Sequence, residues 1–169
     1  MDPTQRLLHL LETEGSRLHR LLTRLTLRAD AAEDLLQELF LRLRNSSEFR
    51  VATDPTAFAV RSAANLAFDW RRQAQRRRET SAISDRGVSH DPLAKLVQRE
   101  ELDQVLIALA DLPETERICL VLRHLEQVET DVIARQLGKT PHQVRALCAK
   151  GIAQLRECLG QPVPEVPNG

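Results

Sequence analysis

Tyrosine is absent from this chain of 169 residues, tryptophan occurs once and phenylalanine four times. Strand-forming residues are correspondingly scarce, while Leu, Ala, Arg, Glu and Gln dominate, a composition that favours helices. Long apolar runs are also missing. None approaches the roughly 20 residues of a membrane span, so no membrane insertion is expected. The N-terminal leucines are interrupted by Arg6, His9, Glu12 and Glu14 and form no signal-peptide core. The three cysteines, Cys119, Cys148 and Cys158, are odd in number and contain no Cys-x-x-Cys pair. They read as free thiols of a reducing, cytoplasmic compartment. The histidines (His9, His19, His90, His124, His142) fall in no metal-ligand pattern, and His9-x-x-Glu12 alone is a weak signal. A glycine-rich phosphate loop and a nucleophile motif are both wanting. No catalytic residue, metal or cofactor is expected, and the chain reads as a non-enzyme.

An excess of either charge is lacking too: 24 basic side chains balance 24 acidic ones. The distribution is more informative than the sum. Residues 1–47 and 114–169 each carry seven of either sign, residues 48–80 carry seven basic against four acidic, and residues 81–113 carry three against six. A basic stretch is thus followed by an acidic one. Neutralising phosphates supplies most non-specific affinity for DNA, so a neutral chain binds free DNA weakly and needs a partner to bring it there.

The remaining residues organise into two helical blocks. In the first, Leu7, Leu11, Leu18, Leu22 and Leu25 recur at helical spacing. Asp30 with Glu33 marks a second helix start of the capping-box kind. Ala32, Leu35, Leu36, Leu39, Phe40 and Leu43 then form a full apolar face. Asn45–Thr53 is polar and aperiodic and reads as a loop. Asp54-Pro55 opens a third helix with an N-cap and a first-position proline. Its expected buried face is Phe58, Ala59, Ala63, Leu66, Ala67 and Trp70. Its polar stripe is Arg61, Asn65, Asp69, Arg72 and Arg76.

Periodicity disappears from Thr80 to Pro92, where Ser, Asp, Gly, His and Pro accumulate, as in a flexible linker. Four helical segments follow. Leu102, Val105, Leu106 and Leu109 mark the first, and Ile118, Val121, Leu122 and Leu125 the second. Ile133, Ala134 and Leu137 mark a short third, stopped by Gly138. Thr140-Pro141 starts the fourth, whose packing face is Val144, Cys148, Ile152, Leu155 and Leu159. A short helix, a glycine-containing turn and a longer helix make a helix-turn-helix. The expectation is an all-α chain of two small domains, 1–79 and 93–160, joined by a linker at 80–92 and followed by a disordered tail at 161–169.

Three stretches carry a family resemblance. Asp30–Leu43 (DAAEDLLQELFLRL) and Phe58–Arg72 (FAVRSAANLAFDWRR) resemble the second conserved region of extracytoplasmic-function sigma factors. Ala108–Leu159 resembles their fourth region, and the likeness extends over about residues 7–159. Three blocks in the right order and spacing make a joint signal stronger than any one motif. The resemblance implies a subunit that binds RNA polymerase core, through the beta-prime clamp helices and the beta flap, and directs recognition and melting of promoter DNA. An anti-sigma factor is a candidate partner. The chain lacks the His-x-x-x-Cys-x-x-Cys arrangement of many anti-sigma factors themselves.

The resemblance also assigns sites, each beside a plainer alternative. Asp34, Gln37, Glu38 and Leu41 lie on the side of the second helix away from its leucines. By pattern alone they are a solvated acidic stripe; within the matched block they are the polymerase contact. Asn45, Ser46, Ser47 and Arg50 are either a surface connection or the segment that captures a flipped minus-ten base. Arg61, Asn65, Asp69, Arg72, Arg76 and Arg77 are either a solvated stripe and helix end or the face that holds opened DNA. The arginine run Arg71, Arg72, Arg76, Arg77 and Arg78 belongs to the same reading, while Trp70 reads as core. On the fourth helix of the second block, Thr140, His142, Gln143, Arg145, Ala146, Ala149 and Lys150 are the outward positions that would face a minus-thirty-five element. Family arginine or histidine is replaced there by Leu147 and Ala149, and family arginine by Ala64 in the first block. Gln127 and Thr130 stand where glycine and tyrosine are frequent. Weak or unusual minus-thirty-five binding follows. Two rival readings remain at this point: a helix-turn-helix regulator with a helical dimerisation or sensing domain, and a sigma-fold adaptor without promoter activity.

Overall fold

Proline at the first position starts α1 (Pro3–Thr26), where its missing N–H costs nothing. The computed structural model of the protein describes residues 2–80 and 93–160. The bulk of the expected linker and the expected tail lie outside them. The chain divides into two compact units, residues 1–73 and 74–169. The division falls inside α4.

The first unit is built from α1, α2 (Ala29–Asn45), α3 (Ser47–Val51) and α4 (Pro55–Thr80), up to Gln73. Its core joins Leu18, Leu21, Leu22 and Leu25 of α1 to Ala32, Leu35, Leu39 and Leu43 of α2 and to Ala59, Ala63, Ala64, Ala67 and Phe68 of α4. The leucine periodicity of α1 differs from expectation: Leu10 is buried, Leu7 half-buried, and Leu11 37% exposed. With Leu at 7, 8, 10 and 11, more than one helical face fits the pattern.

Helix α2 begins one residue before Asp30, with Arg28 in the N-cap position and no side-chain cap. The expected capping box does not form. Asp30 instead accepts hydrogen bonds from Arg28 Nε (3.1 Å) and Nη2 (2.7 Å). Those bonds, with a further one from the Ala31 backbone, hold its carboxyl below the usual range. On α4 the Asp54 cap is as expected, its Oδ1 accepting from the Ala57 N–H at 2.9 Å. The buried face keeps Ala59, Ala63, Leu66 and Ala67 but is wider than expected. Val60, Ala64 and Phe68 are buried, while Phe58 and Trp70 are only half-buried.

The second unit contains α5 (Leu93–Ala110), α6 (Glu114–Leu120), α7 (Thr130–Leu137) and α8 (Pro141–Cys158). The expected second helix does not run on regularly: after Leu120 it widens into a π turn, Val121–Leu125. Arg117 is buried and donates from Nη1 to the carbonyls of Ala110 (3.4 Å) and Leu112 (3.1 Å), tying α6 to the end of α5. Gly138 ends α7 with φ 66°, the left-handed geometry glycine adopts without strain. Helix α8 packs on α6 and α7. Of its expected face, only Val144 is buried; Cys148, Ile152, Leu155 and Leu159 are half-buried. Gly151 is buried instead, and a Cβ there would come 2.8 Å from Leu120 Cδ1. The missing side chain is what lets α6 approach α8.

Candidate polymerase and promoter interfaces

The outward face of α2 follows from the burial of the inward one. With Leu35, Leu39 and Leu43 buried, Asp34, Gln37 and Leu41 emerge on the solvent side, Leu41 with 52% exposure. Glu38 is less open than the other three. Its Oε1 pairs with Arg42 Nη2 at 2.5 Å. The face therefore presents a carboxylate, an amide and an exposed leucine, with a second carboxylate already partnered.

The connection from α2 to α4 is more ordered than a loop. Ser46 caps α3, its Oγ accepting from the Phe49 N–H at 3.1 Å, so this hydroxyl serves the fold. Asn45, Ser47 and Arg50 are exposed, and Arg50 Nη2 reaches the Arg44 carbonyl at 3.5 Å. Val51 is the residue sequence reasoning missed here, at 81% exposure. A single turn of helix shows no periodicity, and so the segment gives no sign of α3. Its anchor is Phe49, buried with its ring 6.0 Å from that of Phe58. The Arg6 guanidinium lies 5.8 Å above the Phe49 ring. Arg6 Nη1 also donates to the Arg50 carbonyl at 3.0 Å, and Nη2 donates to the Ala52 carbonyl.

The stripe on α4 is graded in exposure. Arg61, Asn65 and Arg72 are half-buried, and Asp69, Arg76 and Arg77 exposed. Arg72 is in close ion pairing with Asp69. Arg71 departs from the arginine run: it is buried and its Nε donates to the Leu25 carbonyl, closing α4 onto the end of α1. Arg78 Nη1 lies 3.6 Å from Asp103 Oδ2, both within the second unit. Arg71 and Arg78 are thus engaged by the protein in ways their spacing does not reveal.

On α8 several expected DNA-facing groups hold the helix itself. The Thr140 Oγ1 accepts from the Gln143 N–H (3.2 Å), and the Gln143 Oε1 accepts from the Thr140 N–H (2.9 Å). This is a complete capping box. His142, Arg145, Ala146, Ala149 and Lys150 are exposed. Lys150 Nζ, however, sits 3.5 Å from Oε1 of the buried Glu116. Burial pushes the Cys148 thiol up, with Arg123 and Cys119 opposing the shift. Among the described residues no group of three His, Cys, Asp or Glu is placed to hold a metal ion. Nor is any helix there long and apolar enough to cross a membrane.

Two family models match the chain in succession: sigma-70 region 2 over residues 10–77 and sigma-70 region 4 over residues 102–155. The extracytoplasmic-function RNA polymerase sigma factor SigX of Bacillus subtilis (strain 168) is 26% identical over 167 residues, covering 93% of this chain and 84% of SigX. Among solved structures, the sigma factor RpoE of Bartonella quintana, in complex with the anti-sigma factor NepR, superposes with a TM-score of 0.50. The match covers 93% of this chain and 96% of RpoE; at 18% identity it is a likeness of fold. The region 2 match removes the regulator reading, since the first block is not a separate dimerisation or sensing domain. The chain belongs to the extracytoplasmic-function sigma factors, non-enzymatic subunits that bind RNA polymerase core and promoter DNA and direct transcription initiation.

Proposed function

We propose a division of that activity among four surfaces, carried by one observation: Asp34, Gln37 and Leu41 stand exposed on the face of α2 opposite its buried leucines. An exposed leucine flanked by acidic and amide groups suits a helical partner with basic side chains around an apolar spot. This face takes the beta-prime clamp helices, and the second unit takes the beta flap. The α2–α4 connection captures a flipped minus-ten base through Asn45, Ser47 and Arg50. Arg61, Asn65, Arg72, Arg76 and Arg77 follow the opened strand. The protein works in the cytoplasm, the polymerase core supplies the chemistry, and an anti-sigma factor is a candidate regulator. The domain limits read from the sequence, 1–79 and 93–160, form part of this proposal.

A second reading, an adaptor without promoter activity, draws support from α8, where Thr140 and Gln143 are spent on capping and Lys150 pairs with Glu116. Run-off transcription by holoenzyme reconstituted from core polymerase and this chain decides between them. Specific transcripts, starting from promoters mapped by overexpression, support the sigma reading. Tight core binding without any transcript would establish the adaptor.

A further inference from the structure

The segment proposed to read the minus-ten base is a single turn of helix, too short to hold its own shape in water. The backbone bonds that join it to its two capping residues are long, 3.4 Å from Arg50 N to the Ser46 carbonyl and 3.3 Å from Ala52 N to the Phe49 carbonyl. Carbonyls at the end of a helix have no partner within it and carry the negative end of its dipole. Arg6 meets both needs from α1, more than forty positions away in sequence: its two terminal nitrogens donate to the carbonyls of Arg50 and Ala52. The same guanidinium covers the Phe49 ring, whose far contact is Phe58 of α4. The segment is thus gripped through backbone and anchor from behind, while Ser47, Arg50 and Val51 project to solvent.

We propose that Arg6 is the positioning residue of the minus-ten reader, setting the pose of α3 and so the direction in which Ser47, Arg50 and Val51 meet the base. The inference rests on the reading of this segment given above. A base edge is distinguished by hydrogen bonds that tolerate displacements of only about 0.5 Å. A segment released from its carbonyl clamp loses selectivity before it loses contact. Val51 gains a role as well, an apolar wall beside Arg50 against which an unstacked base packs. Lysine keeps the charge of Arg6 but lacks the fork that spans two carbonyls, so it substitutes only in part.

The test uses holoenzyme made from core polymerase and the full chain carrying Arg6→Ala, Arg6→Lys or Arg6→Gln, with Arg50→Ala and Val51→Ala alongside. Templates carry a promoter mapped by overexpression, randomised across the minus-ten element. Four quantities are read: thermal midpoint, core affinity, preference at the minus-thirty-five element, and base preference among the minus-ten transcripts. In Arg6→Ala, minus-ten preference is expected to flatten by about tenfold. Arg6→Lys should fall between it and the parent, with core affinity and minus-thirty-five preference unchanged. If Arg6→Ala does not fold, a folded Arg6→Gln carries the same expectation. Parental base preference in a folded Ala or Gln variant overturns the inference, as does loss of core affinity in step with preference. Flattening by Arg50→Ala or Val51→Ala alone rejects Arg6 but keeps the reader. Parental preference in all five variants rejects both.

Discussion

The α2–α4 edge of the first unit and helix α8 of the second are both expected from the sequence to face DNA, yet they spend their side chains differently. At the α2–α4 edge one expected reader, Ser46, is spent on a cap, but most of the holding falls to groups behind it, Arg6 and Phe49, and Ser47, Arg50 and Val51 remain exposed. On α8 the outward residues themselves do the holding: Thr140 and Gln143 close the capping box, and Lys150 pairs with Glu116. A reading surface backed by separate supports is dedicated to its target, whereas one that doubles as its own scaffold has less to offer. The comparison implies that promoter choice by this protein rests more on the minus-ten end than on the minus-thirty-five end.

The largest effect concerns neither DNA surface but the docking on which both depend. Reversing Asp34 and Glu38 to lysine is expected to weaken core binding about a hundredfold, as for charge pairs at a protein interface. Exposed substitutions move stability by about 0.5 kcal/mol at most, so circular dichroism should be unchanged. Undiminished core affinity in a binding titration would remove α2 from the polymerase interface.

Next come the arginines at the end of α4. Arg76→Ala and Arg77→Ala should each lower the salt slope of open-complex formation by about 0.7, the value for one phosphate on a single strand. Arg78→Ala tests the ion pair that Arg78 makes with Asp103. Equal slopes for all three variants would show that the ion pair opens on DNA.

The comparison itself is sharpened by Arg145→Ala on α8, where a loss of transcription under about tenfold is expected, in keeping with a single contact. A loss exceeding that of Arg50→Ala would reverse the ranking of the two surfaces. A smaller, structural effect is predicted for Gly151→Ala. Crowding Leu120 should destabilise the second unit by about 1–3 kcal/mol, read as a lowered melting temperature. The smallest signal is chemical. With its thiol pushed up by burial, Cys148 should alkylate slowly at neutral pH. Its rate should keep climbing with pH beyond the point, about a unit above the ordinary thiol pKa of about 8.5, where an exposed thiol levels off. Exposed Cys158 should react first; mass spectrometry of the modified chain reports both.

The all-helical fold, the Asp54 cap, the Gly138 stop and the Thr140 start were legible because each rests on local chemistry over a few residues. The misreadings share another cause. The phase of α1 is ambiguous among too many leucines, and Phe68 falls outside a single apolar stripe because two adjacent stripes of α4 are buried. Arg71 looked like part of a basic run, and only its bond to the Leu25 carbonyl, 46 positions away, marks it as structural. The hold of Arg6 on α3 has no local signature at all, since it joins the first helix to a segment 44 and 46 positions later. Long-range polar bonds of this kind leave no period in a sequence.

The capping box on α8 also bears on how this protein's promoter preference is able to drift over generations. Thr140 and Gln143 start the helix and face outward at once, so a change at Thr140 that alters base contacts also costs about 1 kcal/mol of helix stability. His142, Arg145, Ala146 and Ala149 carry no such double duty in the capping box. New specificities are therefore reached most cheaply through those four positions, and sister lineages should diverge there while keeping a hydroxyl at Thr140 and an amide or acid at Gln143.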